Sequence, residues 1–171
     1  MDDSAGRPFV KTVPGTFLNL TIDAVRNGFA PAELMALLKH PLCRLRFEPF
    51  DIRRFGRALE LAAFRAPYLG RGIEGVRAAL SNANRAHAED ERQHPAVKRL
   101  WAEDWDGART LVDRLDSAFA QLVAVYAKPR DRSLKEMAAA HIATAEALAA
   151  LPAPADEGGD VPANPLWQGE A

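Results

Sequence analysis

The chain has 171 residues, 48% of them hydrophobic, and a formal net charge of −1. This suits one domain with an ordinary core and offers no global charge to a polyanion or a membrane surface. The single cysteine, Cys43, excludes an internal disulfide and a cysteine metal cluster and fits a reduced, cytoplasmic setting. No apolar run approaches the ~20 residues of a membrane span, and the acidic, polar start Met1–Gly6 has no signal-peptide core.

In chain order, residues 1–13 read as an irregular lead-in punctuated by Gly6 and Pro8. A first helix is predicted from Pro14 to Asn27. Proline suits its start, Phe17, Leu18, Ile22 and Val25 recur at helical spacing, and Gly28 is the natural stop. A second helix covers Pro31–Lys39, sealed by Pro41, with Leu34, Leu37 and Leu38 inward. Asp51 is positioned to cap a third helix to Arg65. Its inner face is Ile52, Phe55, Leu59, Ala62 and Ala63, and Arg53, Arg54 and Arg57 fall on the other side. A break at Ala66–Gly70 precedes a fourth helix, Gly72–Ala86, with Ile73, Val76, Ala79, Leu80 and Ala83 inward. The charged run His87–Gln93 reads equally as helix end or loop. Pro95 opens a short helix carrying Val97, Leu100 and Trp101. Asp104 or Asp106 then caps a long helix to Ala127, whose apolar face is Leu111, Leu115, Phe119, Leu122 and Val125. Pro129 ends it. Ser133 and Glu136 form a capping box for a last helix to Ala150, with Leu134, Met137, Ala138, Ile142, Ala145 and Leu148 packing.

No period-2 run is bounded by turn signals, so no sheet is expected. The expected fold is all-α: an irregular orthogonal bundle of about six or seven helices over residues 14–151, followed by a disordered, proline- and acid-rich linker or tail at 152–171. Leu166 and Trp167, an apolar pair after that linker, read as surface once buried by a continuation of the chain.

Chemistry-bearing patterns are sparse. Gly70-Arg71-Gly72-Ile73-Glu74-Gly75 imitates a dinucleotide loop, but no strand precedes it, so a turn and helix start are expected. His40 and Cys43 flank a proline turn with no orienting carboxylate, which favours a buried thiol over a nucleophilic dyad. His87 with Glu89, Asp90 and Glu91 is a weak cation candidate, with a charged loop the commoner explanation. His141 reads as a packing histidine. No catalytic residue, metal site or cofactor is expected.

Charge is distributed unevenly. Residues 39–85 carry ten Lys/Arg against four acids, whereas residues 86–171 carry nine against fifteen. Within the basic half, Lys39, Arg44, Arg46, Arg53, Arg54 and Arg57 are the candidates for contact with a DNA backbone. Guanidinium groups bind phosphate in a sequence-independent, salt-sensitive way. Phe47 and Phe50 lie among them as candidates to stack on exposed bases. The competing reading is an ordinary solvated helix face whose arginine stems shield the core.

The stretch Phe17-Leu18-Asn19-Leu20, then Gly28 through Leu42 with its Ala30-Pro31 and Leu37-Leu38-Lys39-His40-Pro41-Leu42, resembles AddB of the alphaproteobacterial type. The lead-in Asp2–Pro8, Arg57–Leu61, Gly72–Leu80 and Leu166–Ala171 fit the same family in the same order. AddB is the second subunit of the AddAB helicase–nuclease of double-strand break repair and recombination. The full subunit is several times longer. It has a helicase-like body without a working motor that takes part in recognising a recombination hotspot, and a C-terminal nuclease domain with an iron–sulfur cluster. The resemblance implies an interior helical insertion akin to a helicase 2B subdomain, excised without catalytic parts. None of the family's catalytic residues maps onto this chain. It implies as partners the rest of the AddB-like subunit, an AddA-like motor subunit and DNA backbone, with no membrane. A free-standing helical interaction module unrelated to DNA is the competing class, and a small metal- or ligand-binding helical enzyme is a third.

Overall fold

A computed structural model describes residues 8–65, 70–127, 133–153 and 163–168. Among these residues the chain forms seven α-helices and no strand. They are α1 (Val13–Arg26), α2 (Pro31–Leu38), α3 (Pro49–Leu59), α4 (Gly72–Ala88), α5 (Pro95–Lys98), α6 (Ala102–Ala127) and α7 (Leu134–Ala149). The all-α bundle is built around α6, which packs against α3, α4 and α7, while α1 lies across α2 and α7. The predicted α6 stripe of Leu111, Leu115, Phe119, Leu122 and Val125 is buried throughout. No helix among the described residues is long and apolar enough to cross a membrane.

Local chemistry explains the boundaries. Helix α1 starts at Val13, one residue before the proline, because the Thr12 side chain accepts from the Gly15 N–H. The end of the expected irregular lead-in is ordered too, as a 3₁₀ turn at Phe9–Lys11. At the other end Gly28 adopts φ +63°, its N–H reaches the Val25 carbonyl, and the Phe29 N–H reaches the Ala24 carbonyl. This is a Schellman closure, and its following apolar residue, Phe29, packs edge-on against Phe119 with ring centroids 5.0 Å apart.

Several expectations change. Helix α3 begins at Pro49, with Glu48 as its N-cap residue, so Asp51 lies inside the first turn rather than capping. After Leu59 the helix widens into a π-helical turn, Glu60–Phe64. Asp104 does not precede α6 but sits within its first turn, where its carboxylate accepts from the Trp101 N–H at 2.8 Å. The short helix expected to carry Val97, Leu100 and Trp101 ends at Lys98, and Trp101 is exposed. The buried face of α7 is rotated from the expected one. Ala140, Thr144, Ala145, Leu148 and Ala149 are inside, and Leu134, Ala138 and Ile142 are outside. Small side chains allow α7 to approach α6 closely, so the alanine face wins over the larger residues.

The expected break at Ala66–Gly70 and the tail fall mostly outside the described residues, but residues 163–168 are folded against the bundle. The Leu166 side chain is buried, Asn164 donates to the Glu146 carbonyl at 2.9 Å, and the Trp167 indole donates to the Glu146 carboxylate at 2.7 Å. The chain's own α7 therefore covers Leu166, where a further segment had been expected to do so.

Candidate nucleic-acid interface

The basic residues clustered in sequence are sorted by the fold into three environments. Arg53 and Arg57 lie one helical turn apart on the outer face of α3, and Lys39 stands at the end of α2. All three are exposed and line one groove of about 340 Å³ between the two helices, with Met35, Leu38, Ile52 and Gly56 as its floor. None of the three makes an ion pair among the described residues. Like charges at i and i+4 on a helix repel by a few tenths of a kcal/mol. A surface that keeps such a pair beside a third cation is suited to a polyanion. Among the described residues, the one carboxylate in the groove lining, Glu60, is engaged by Arg65 at 3.2 Å.

Arg54 belongs elsewhere. Its Nε donates to the Asp104 carboxylate at 2.5 Å, and Asp104 is only 7% exposed. A guanidinium held this way ties α3 to α6 and is withdrawn from the groove. Arg44 and Arg46 sit on the connection before α3, whose backbone is fixed by α7. The Arg44 and Leu45 N–H groups both donate to the Leu148 carbonyl, and the Arg46 N–H donates to the Ala150 carbonyl at 2.7 Å. These bonds satisfy carbonyls that the helix end would otherwise leave unpaired. Arg46 lines a second groove with Leu45, Arg114, Ser117, Ala118 and Ala147.

The two aromatic candidates also separate. Phe47 is 9% exposed, packed edge-on against Phe55 and beneath the Arg114 guanidinium, so its ring is not available for stacking. Phe50, in the first turn of α3, is 73% exposed. Arg114 was not among the sequence candidates. The signal for it was weak: it flanks the buried α6 stripe between Leu111 and Leu115, where a basic residue lies at the edge of the core.

Other titratable groups make local packing and hydrogen-bond contacts. The His40 ring accepts from the Leu42 N–H at 3.2 Å and stacks on Phe17, and burial lowers its pKa. Burial pushes the Cys43 thiol up to about 12, against the pull of the Arg44 charge. A thiol protonated at neutral pH is a poor nucleophile. Cys43 is expected to be silent to an aromatic disulfide reagent at pH 8 and to react fully once the chain is unfolded in urea. Rapid reaction of the native protein would contradict the burial. The sign for stability follows: the folded thiol keeps its proton to about 12 while an unperturbed one ionises near 9.0, so this contribution is present below pH 9.0 and is lost as pH rises through 12.

The His141 Nε2 lies 2.8 Å from the Leu18 carbonyl and links α7 to α1. Gly72 adopts φ +75° and its N–H reaches the Gly28 carbonyl, so the glycine-rich run makes a turn and a helix start. Asp90, from the charged loop after α4, accepts from Lys98 at 2.8 Å. No group of three or more His, Cys, Asp or Glu among the described residues has metal-holding geometry. No family model, no curated protein and no solved structure matches the chain.

Proposed function

We propose that this chain is a non-catalytic helical domain of an AddB-like subunit of a helicase–nuclease, which supports that subunit, contacts its motor partner and guides DNA along the groove between α2 and α3. The observation that carries the DNA part is the convergence of Lys39, Arg53 and Arg57, exposed and without ion pairs among the described residues, on one groove beside the exposed Phe50. Three cations from two helices give a sequence-independent grip on phosphates, and an exposed ring offers a stacking surface to a single-stranded base. The resemblance carried by Gly28–Leu42 supports the assignment to the AddB-like subunit. That stretch also builds the α2 wall of the groove, through Met35, Leu38 and Lys39.

The apolar floor formed by Met35, Leu38 and Ile52 favours one second reading, a free-standing interaction module that seats an acidic amphipathic helix in the same groove. Amide-shift mapping with a duplex bearing a single-stranded tail tests the first reading. Perturbations concentrated on α2, on the first turns of α3 and on Phe50 are expected. Perturbations scattered over the surface, or none at low salt, would overturn it.

A further inference from the structure

The second groove holds an arrangement that DNA guidance along α2 and α3 does not use. Arg114 projects from α6 with its position fixed on two sides. Its Nη1 donates to the Leu45 carbonyl at 2.7 Å, and its guanidinium carbon lies 3.9 Å from the centroid of the Phe47 ring. Arg46 enters the same groove from the connection before α3. Two features show that this pairing of like charges is imposed by the fold. First, Leu45 and Arg46 both have positive φ, 48° and 60°, a conformation that costs a non-glycine residue energy and persists only where its surroundings enforce it. The enforcing contacts are the backbone bonds to Leu148 and Ala150 at the end of α7 and the Arg114 bond to Leu45. Second, no acid is among the described residues that line the groove with Arg114. Asp113 and Asp116, its neighbours on α6, are both engaged by Arg77 of α4, the latter at 2.9 Å. Neither Arg46 nor Arg114 makes an ion pair among the described residues. Burial, and then the Arg46 charge, lowers the Arg114 guanidinium pKa.

The space they line is an open groove of about 430 Å³, with Ser117, Ala118 and Ala147 also in its wall. It is large enough for an anionic group with a modest organic body. We propose that the Arg46–Arg114 groove is a binding site for a phosphate group. Two guanidinium groups converging from different elements match a dianion, whereas a carboxylate would leave one of them uncompensated. Arg114 spends one N–H on Leu45 and keeps its other donors, and its stacking on Phe47 holds the fork before any ligand arrives. Ser117, whose hydroxyl donates to the Asp113 carbonyl at 2.9 Å, stands at the groove wall. Among the described residues the site shares no lining residue with the α2–α3 groove, and it does not depend on the reading given to that groove.

The test is a titration of the full chain with inorganic phosphate at constant ionic strength, followed by the backbone amides of Leu45–Phe47 and the Arg114 side-chain signal. Saturable shifts at these positions are expected, with acetate at the same ionic strength leaving them unmoved. Arg46→Ala removes an exposed side chain and should weaken phosphate binding about tenfold. Because Arg114 also holds the Leu45 carbonyl, its test is Arg114→Lys, which keeps the charge but loses the planar fork. It should weaken binding while the remaining amide spectrum stays native. The K39A/R53A/R57A chain should respond to phosphate as the wild type does, which separates this proposal from the DNA groove. In that background, tighter binding of a 5′-phosphorylated oligonucleotide than of its 5′-hydroxyl counterpart would assign the phosphate to a nucleic-acid end. Equal binding of the two, with inorganic phosphate still bound, would assign it to a small phosphoester. Shifts that do not saturate, that acetate reproduces, or that persist unweakened in Arg46→Ala would overturn the proposal.

Discussion

Replacing Phe119 with alanine is expected to remove about 4 kcal/mol of stability, the value typical of truncating a buried aromatic side chain. Phe119 is buried near the middle of the core and meets the Phe29 ring edge-on. Its loss opens a cavity on α6 and also deprives the Schellman closure after α1 of the apolar contact that holds Phe29 at a positive φ. The damage therefore reaches the α1–α2 connection, and through it one wall of the basic groove. Urea unfolding measures it: the midpoint should fall with the slope unchanged, and Phe119→Leu should recover most of the loss. A change below about 1 kcal/mol would mean that the ring is not packed as described.

Asp104→Ala is the second large effect, expected at about 2–3 kcal/mol. The carboxylate does two things at once. It accepts from the Trp101 N–H at the start of α6, a cap worth about 1 kcal/mol, and it holds Arg54 across to α3. The Arg54 side chain is 37% exposed, so water takes over part of the lost interaction, and the unpaired guanidinium contributes about 1–2 kcal/mol rather than the full cost of a buried charge. Asp104→Asn keeps an acceptor for Trp101 and should recover about 1 kcal/mol. In a double-mutant cycle, Asp104→Ala and Arg54→Ala should couple strongly, while Arg54→Ala alone should leave DNA affinity almost unchanged. Simple additivity would show that Arg54 is free to act in the groove.

Much of the architecture was legible because long amphipathic periodicity survives tertiary context. The α6 stripe and the Ile73, Val76 and Leu80 face of α4 are buried as their spacing requires. Alanine weakens that signal. In α7 nearly every position tolerates burial, so the choice of face was settled by how closely Ala140, Ala145 and Ala149 let the helix approach its neighbours, and Leu134 and Ile142 were left outside. Helix starts were misplaced where the cap comes from within the helix, as with Asp104, or where proline begins it without a side-chain cap, as with Pro49.

The candidate site was legible in composition but not in grouping. Arg53, Arg54 and Arg57 are equivalent by spacing, yet Arg54 is claimed by an aspartate fifty residues away in sequence. Arg46 finds its neighbour in Arg114 on α6, a juxtaposition that no local pattern announces. Long-range electrostatics of this kind is set by the packing of α3 and α7 on α6, and it becomes readable only when those helices are in place.

The central claim is that Lys39, Arg53 and Arg57 grip a DNA backbone. The most direct test is fluorescence anisotropy of a labelled duplex with a single-stranded tail, titrated across a salt series with the wild-type chain and the K39A/R53A/R57A variant. Each phosphate contact contributes about 0.9 to the slope of log affinity against log salt, so the variant should bind more weakly with a slope shallower by about 2–3. Absence of wild-type binding at low salt, or a variant with an unchanged slope, would contradict the account.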